Sequence, residues 1–203
     1  MSIVGFTGVM GAGKTTAANM IEGAIVLSFA EPLKSAVKIL FALTDTQLHT
    51  LDGKNTVDPR WGISPRELLQ YLGTDCIRNK FPGHWVKLMG HKIQQLQDKI
   101  GDEAIIAIDD IRFEDEAELV RSLNGTVVHV IGRKVTVGEN LAGHKSESGI
   151  RFTEGDTVID NSGTIPELKK KIWRLTEYEK DIPCMSEEDV EFYISFLKER
   201  NFD

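Results

Sequence analysis

An apolar run, Ile3-Val4-Gly5-Phe6-Thr7, leads directly into Gly8-Val9-Met10-Gly11-Ala12-Gly13-Lys14-Thr15, a complete G-x-x-x-x-G-K-[ST] segment. No other feature of the chain narrows the fold as far. Glycines at the fixed positions let the backbone turn sharply and line up N–H groups, so the pattern calls for a strand before it and a helix after it. Such a loop cradles the α- and β-phosphates of a nucleotide. Lys14 adds a mobile charge for the β- and γ-phosphates, and the Thr15 hydroxyl is placed to ligate Mg²⁺. With the first turn of the helix included, the expected triphosphate-binding set is Gly8, Met10, Gly11, Ala12, Gly13, Lys14, Thr15 and Thr16.

The rest of the chain repeats the strand–helix rhythm. Short β-branched runs recur at Ile3–Thr7, Ala24–Phe29, Ala104–Ile108, Thr126–Ile131 and Thr157–Ile159. Helical patterns separate them, at Lys14–Glu22, Pro32–Ala42, Pro65–Gly73, His84–Lys99, Glu114–Leu123 and Ile165–Thr176. Continuous apolar strands alternating with helices predict an α/β fold with a parallel sheet covered on both faces. Ser64-Pro65-Arg66-Glu67 joins an N-cap serine, a first-turn proline and a capping-box glutamate, and Asn124-Gly125 closes the helix before the fourth strand.

Two stretches escape this rhythm: Thr44–Ile63, which reads as a long polar loop, and Lys134–Asp156, with four glycines among charges. Loops of this length in compact domains tend to be functional. Ser186 opens a last helix with Asp189 at N3 and Val190, Tyr193, Ile194 and Leu197 on one face, which predicts a helix docked on the body.

At 203 residues the chain suits one domain with a short appendage. Its net charge of −7 is concentrated in residues 177 to 203, where 9 acidic residues meet 3 basic ones, an acidic helical tail. The other cations are interspersed with acids, which argues against a nucleic-acid polymer as partner. No run is apolar and long enough to cross a bilayer, and the chain opens on its first strand. Cys76 and Cys184 have no metal-ligand spacing, and a cytoplasmic setting is expected.

Beyond the loop, Ile108-Asp109-Asp110-Ile111-Arg112-Phe113 puts carboxylates at the end of the third strand, where a Mg²⁺ shell or a base is needed. Adjacent residues on a strand point to opposite faces, so one aspartate at most is expected to serve, unless both cap the helix near Glu114. Arg66, Arg78, Arg112, Arg133, Lys145 and Arg151 lie in loops or at element ends, as charge neutralisation around transferring phosphates requires.

Several segments in order carry a resemblance: Phe29-Ala30-Glu31-Pro32-Leu33-Lys34, Ser64 to Asp75, Trp85-Val86, Asp110-Ile111-Arg112-Phe113 with Glu114-Asp115-Glu116, and His144-Lys145-Ser146-Glu147. Over residues 1 to about 170 the chain resembles the deoxynucleoside monophosphate kinases of large bacteriophages. The resemblance implies a P-loop three-layer sandwich with a five-stranded parallel core in a domain of residues 1–176. An acceptor-binding insertion at about 30–100 and a lid at about 133–156 go with it.

Mg·ATP as donor and a deoxynucleoside 5′-monophosphate as acceptor are implied as well, with cytoplasmic location, host cytoplasm for a phage protein, and a homodimer among the allowed assemblies. Catalysis falls to Lys14, Asp110, Arg112 and Arg133. Arg133, Asn161 and Gly163 join the ATP site, the last two beside the donor base. Lys34, Arg66, Asp75, Arg78, Trp85, Arg112 and Lys145 form the acceptor site, and Thr15 and Asp110 the metal site. Asp109 and the acidic tail depart from the family pattern. Two alternatives stay open on the residues alone: a dephospho-coenzyme A kinase or another small-molecule P-loop kinase, and an NTP-driven switch or assembly ATPase.

Overall fold

A strand that feeds a phosphate loop must end where its neighbours also end, and the sheet meets that condition. In the computed structural model, which describes residues 1–101, 103–132 and 150–177, β1 (Ser2–Thr7) lies between β3 (Ile105–Ile111) and β4 (Thr126–Ile131). β2 (Ile25–Leu27) flanks β3 and β5 (Thr157–Asp160) flanks β4, giving the all-parallel order β2-β3-β1-β4-β5. Parallel neighbours need crossovers, and the helices among them cover both faces.

Alternation along β1 sorts the two faces. Val4 and Phe6 join Ala107, Val128, Val130 and Ile159 under Ala17 and Ala18 of α1 (Lys14–Ala18) and Leu168 and Ile172 of α8 (Ile165–Glu177). Gly5 points the other way. A Cβ there would lie 2.3 Å from Ile111 Cδ1 and 3.1 Å from Val120 Cγ2, so glycine is what lets α7 (Glu114–Ser122) pack this close. Burying these branched side chains, at about 1.5–3 kcal/mol each, supplies the main force holding the sandwich together.

The chain divides into two compact units, Met1–Ser28 with Ile93–Asp203, and Phe29–Lys92. The second is helical: α2 (Glu31–Leu40), α3 (Asp45–His49), α4 (Leu51–Asn55), α5 (Pro65–Gln70), a π-helix (Tyr71–Arg78) and the start of α6 (His84–Ile100). α2 packs against α3 and α5, and α5 runs on into the π-helix. The Asp58 carboxylate, 4% exposed, accepts from Gln47 Nε2 and from Arg60 N, Nε and Nη2, and those bonds, led by the Arg60 guanidinium, hold it far below the usual carboxylate range.

Four element boundaries differ from expectation. Thr44–Ile63 is not a loop throughout: Thr44 and Gln47 form a reciprocal capping box on α3, and the Thr50 hydroxyl accepts from Gly53 N–H to start α4. α1 stops at Ala18 rather than Glu22, since Asn19 Nδ2 donates to Thr15 O at 2.7 Å and tighter turns follow. The helix expected to end at Gly73 continues to Arg78 with π geometry. β3 extends to Ile111 instead of Ile108, so Asp109 and Asp110 lie within the strand, ahead of the N–H groups that lead into α7 and need an acceptor. That acceptor is Glu116, whose carboxylate accepts from Arg112 N–H and Phe113 N–H. Expectations for Arg133, Lys145, most of the lid and the tail from Tyr178 onward lie outside the described residues.

Candidate active site

The site starts at the carboxyl end of β1. Gly8, Gly11 and Gly13 take φ of 140°, 78° and 100°, conformations that L side chains avoid. At Gly8 space is decisive as well, because a Cβ would sit 2.3 Å from the Val130 carbonyl oxygen of β4. The loop therefore crosses the edge of the neighbouring strand where only glycine fits. Lys14 Nζ donates to Gly8 O at 2.7 Å and Val9 O at 3.0 Å, so the ammonium already spans the loop's mouth. A phosphate oxygen carries full charge where a carbonyl carries a partial one, so an ammonium held only by carbonyls is available to an anion. Thr15 and Thr16 are exposed at the head of α1, and Met10 is partly buried.

Beside the loop, the β1–β3 register shifts: Gly5 pairs with Ile108, but Thr7 pairs with Ile111, so β3 carries one extra residue at its aspartates. The bulge falls where the strand carries its two carboxylates, and their burial differs. Asp109 is 7% exposed and accepts a hydrogen bond from Ser28 Oγ; Asp110 is partly exposed. Arg112 follows at the strand's end, its main chain held by the buried Glu116. Ser28 escaped the sequence reading. Its signal is the Leu27–Ile108 pairing, which sets residue 28 beside residue 109 only once the strand order is known.

After β5, Asn161 is 2% exposed, and its Nδ2 donates to Ala12 O at 2.7 Å. Gly163 is exposed in the turn that precedes α8. At the other end of β5 stands a second group that sequence did not reveal. Asp156 accepts from Arg121 Nε at 3.0 Å, Arg121 Nη2 at 2.7 Å and Thr153 N–H at 2.9 Å, and lies 3.2 Å from His129 Nε2. Burial pushes its carboxyl up, but the bonds from His129, Arg121 and Thr153 prevail and hold it down at about 2. Glu114 accepts from Arg121 Nη1 and from Arg151 N–H, which ties residues 150–156, the last stretch of the expected lid, to α7.

The helical unit holds five of the residues assigned to the acceptor, Lys34, Arg66, Asp75, Arg78 and Trp85, whereas Arg112 belongs to the sheet unit. Lys34 is partly buried on α2, and Arg66 on α5 donates from Nε to Asn55 Oδ1 at 2.8 Å. Asp75 and Arg78 fall in the π-helix, the first exposed and the second partly buried. Trp85, assigned to the acceptor site, is 9% exposed and donates its indole N–H to Gly73 O at 2.9 Å. It thereby takes up a carbonyl of the π-helix, at a position where a Cβ would meet Leu33 Cδ2 at 2.7 Å.

A glycine loop on the central strand of a β2-β3-β1-β4-β5 parallel sheet, with carboxylates ending the adjacent strand, defines an α/β protein of the P-loop nucleotide-binding class. The family model for deoxynucleotide monophosphate kinase matches residues 44–172. An Acanthamoeba polyphaga mimivirus protein named "Putative deoxynucleotide monophosphate kinase" is 35% identical over 85% of this chain and 94% of its own length. The deoxynucleotide monophosphate kinase of Escherichia phage RB69 is 37% identical over 60% of this chain and 47% of its own. That of Enterobacteria phage T4 is 30% identical over 68% and 59%. The matches span about half the length of the two phage relatives and nearly all of the mimivirus protein. The chain belongs to the deoxynucleotide monophosphate kinase family.

Proposed function

We propose that the protein transfers the γ-phosphoryl group of ATP to a deoxynucleoside 5′-monophosphate, giving ADP and the deoxynucleoside diphosphate, in the cytoplasm of a host cell. The observation that carries this reading beyond family membership is the loop geometry. Three left-handed glycines and Lys14 make a phosphate cradle at the carboxyl end of the central strand. Phosphoryl transfer asks mainly for positioning and charge neutralisation, and a cradle of fixed N–H donors with a lysine supplies both.

In this reading Gly8, Met10, Gly11, Ala12, Gly13, Lys14, Thr15 and Thr16 hold the triphosphate. Lys14 and Arg112 stabilise charge on the transferring group while an oxygen of the acceptor phosphate attacks phosphorus in line with the leaving ADP. Arg133 and Lys145 serve from the lid. Lys34, Arg66 and Arg78 bind the acceptor's phosphate, with Asp75 toward its sugar or base, and Trp85 holds the π-helix that carries Asp75 and Arg78. The donor set suits Mg²⁺, because the Thr15 hydroxyl and the Asp110 carboxylate are oxygen ligands of the kind that ion combines with phosphate. When bound, the ion neutralises charge developing on the phosphate oxygens.

The test is to incubate the protein with Mg·ATP and each deoxynucleoside monophosphate in turn, and to compare diphosphate formation with ATP hydrolysis in the absence of acceptor. Transfer to one or more acceptors well above hydrolysis supports the reading. Hydrolysis indifferent to every acceptor would return the switch ATPase to the front.

A further inference from the structure

The buried amide of Asn161 has a task that a base-contacting residue would not have. Its backbone is fixed first. Asn161 N–H donates to Ile131 O at 2.8 Å, continuing the β4–β5 ladder, and Asp160 closes a tight turn by accepting from Ser162 N–H at 2.9 Å and Ser162 Oγ at 2.7 Å. From this fixed root the side chain reaches the phosphate loop, where Nδ2 meets the carbonyl of Ala12, a residue with no exposure. The same Nδ2 lies 2.3 Å from where a Cβ on Gly13 would be, so amide and glycine are packed face to face.

The consequence follows from the peptide plane. In a trans peptide the C=O and N–H point in opposite directions, so an amide that holds the Ala12 carbonyl on one side turns the Gly13 N–H to the other. Gly13 has φ 100°, and a glycine in that region can rotate its preceding peptide far more readily than any other residue. Left alone, this peptide would sample orientations that aim a carbonyl, rather than a donor, at an incoming anion. Resting on the phosphate-binding role of this loop, we propose that Asn161 is a positioning residue. By holding the Ala12 carbonyl it presets the Gly13 N–H as a phosphate donor, and it sets affinity for the triphosphate of any nucleotide instead of selecting the base. Such preorganisation lowers the ordering cost at the moment of binding and keeps the donor aimed during transfer.

The decisive comparison uses ligands with and without a base. ATP, GTP, CTP and inorganic tripolyphosphate are titrated into wild type, Asn161→Ala and Asn161→Asp by calorimetry with Mg²⁺ present, with thermal melting as the check of folding. Both variants should bind all four ligands more weakly by a common factor of roughly 5- to 150-fold, the range for a buried polar group left unpaired. The acceptor KM should stay at its wild-type value. A loss confined to nucleotides, with tripolyphosphate unaffected or the order of bases changed, would make Asn161 a base-reading residue and overturn the proposal.

Wild-type protein gives a second reading that needs no variant. The Asn161 side-chain amide protons should be protected from exchange both before and after tripolyphosphate is added, while the Gly13 amide resonance shifts on binding. Rapid exchange of the Asn161 amide in both states would also overturn the proposal. Failure of wild type to bind any of the four ligands would instead sink the nucleotide-binding reading on which it stands.

Discussion

The sheet unit and the helical unit of Phe29–Lys92 are held together by different materials. Around the phosphate loop the determinants are backbone: three glycines in left-handed conformations, a Gly8 seated against Val130 O, and a strand ladder that needs only branched apolar side chains. The helical unit relies on side-chain bonds. Thr44, Thr50 and Ser64 cap its helices, Asp58 gathers Gln47 and Arg60, and Trp85 clasps the π-helix. It also exposes Ile39, Leu40, Leu51, Val57, Tyr71 and Phe81, where the sheet unit, among its described residues, buries most of the apolar ones. Phosphate is common to every nucleotide and can be met by N–H groups that any sequence supplies. In the proposed function an acceptor must be told from its neighbours, and that requires particular side chains.

The comparison breaks first at Lys14. Lys14→Ala should lower kcat by about 10²–10³-fold or more while thermal stability stays close to wild type, because its charge acts on the transferring phosphates. A loss of only a few-fold would remove Lys14 from that role. Next come the acceptor cations: Arg66→Ala and Arg112→Ala should raise the acceptor KM or lower kcat by roughly 10- to 150-fold, the value of a charge-assisted bond, with little change in ATP affinity. Equal damage to ATP affinity, titrated without acceptor, would move these arginines to the donor site.

Asp109 and Asp110 sharpen the account within the sheet unit. Asp110→Asn should cost more in kcat and Asp109→Asn more in melting temperature, since Asp109 is the buried partner of Ser28. The reverse order would shift the functional carboxylate by one residue.

Smaller effects concern stability. The Asp156 carboxyl is held at about 2, below its unfolded value of 3.8, so its contribution is complete above about pH 4 and is lost as pH falls toward 2. The amount is on the order of 2 to 2.5 kcal/mol. Asp156→Asn should remove it and flatten the acid limb of stability over that window, as read from denaturant midpoints at stepped pH. An unchanged acid limb would deny Asp156 its ionic partners. Trp85→Phe gives the smallest change, about 1 kcal/mol for one hydrogen bond, with the acceptor KM raised and ATP affinity intact. An ATP effect larger than the acceptor effect would place the indole's influence elsewhere.

The same contrast explains what could be read from sequence. Strand positions and the loop were legible because β-branched runs and fixed glycines are local signals, and four of the five strands were located within two residues at their starts and ends. β3 was cut short at Ile108 because charged residues read as a strand's end, whereas a bulge admits them. The cap at Thr44 was in plain view, since T-x-x-Q is a capping box, but the polar composition around it masked the pattern; Thr50, with Gly53 at N3, has no such pattern. The π-helix offered no local signal, and the indole that takes up its Gly73 carbonyl lies twelve residues away. The bond from Asn161 to Ala12, 149 positions apart, and the Arg121–Asp156–His129 group join residues that only the folded sheet brings together.

Phosphoryl transfer itself can be followed most directly in a single turnover, with ATP labelled in its γ-phosphate and bound to excess protein, then mixed with a deoxynucleoside monophosphate or with buffer. The account predicts that with acceptor the label appears in the deoxynucleoside diphosphate within one turnover, and that with buffer it stays in ATP over the same time. Release of the label as inorganic phosphate at one rate, with and without acceptor, would contradict it.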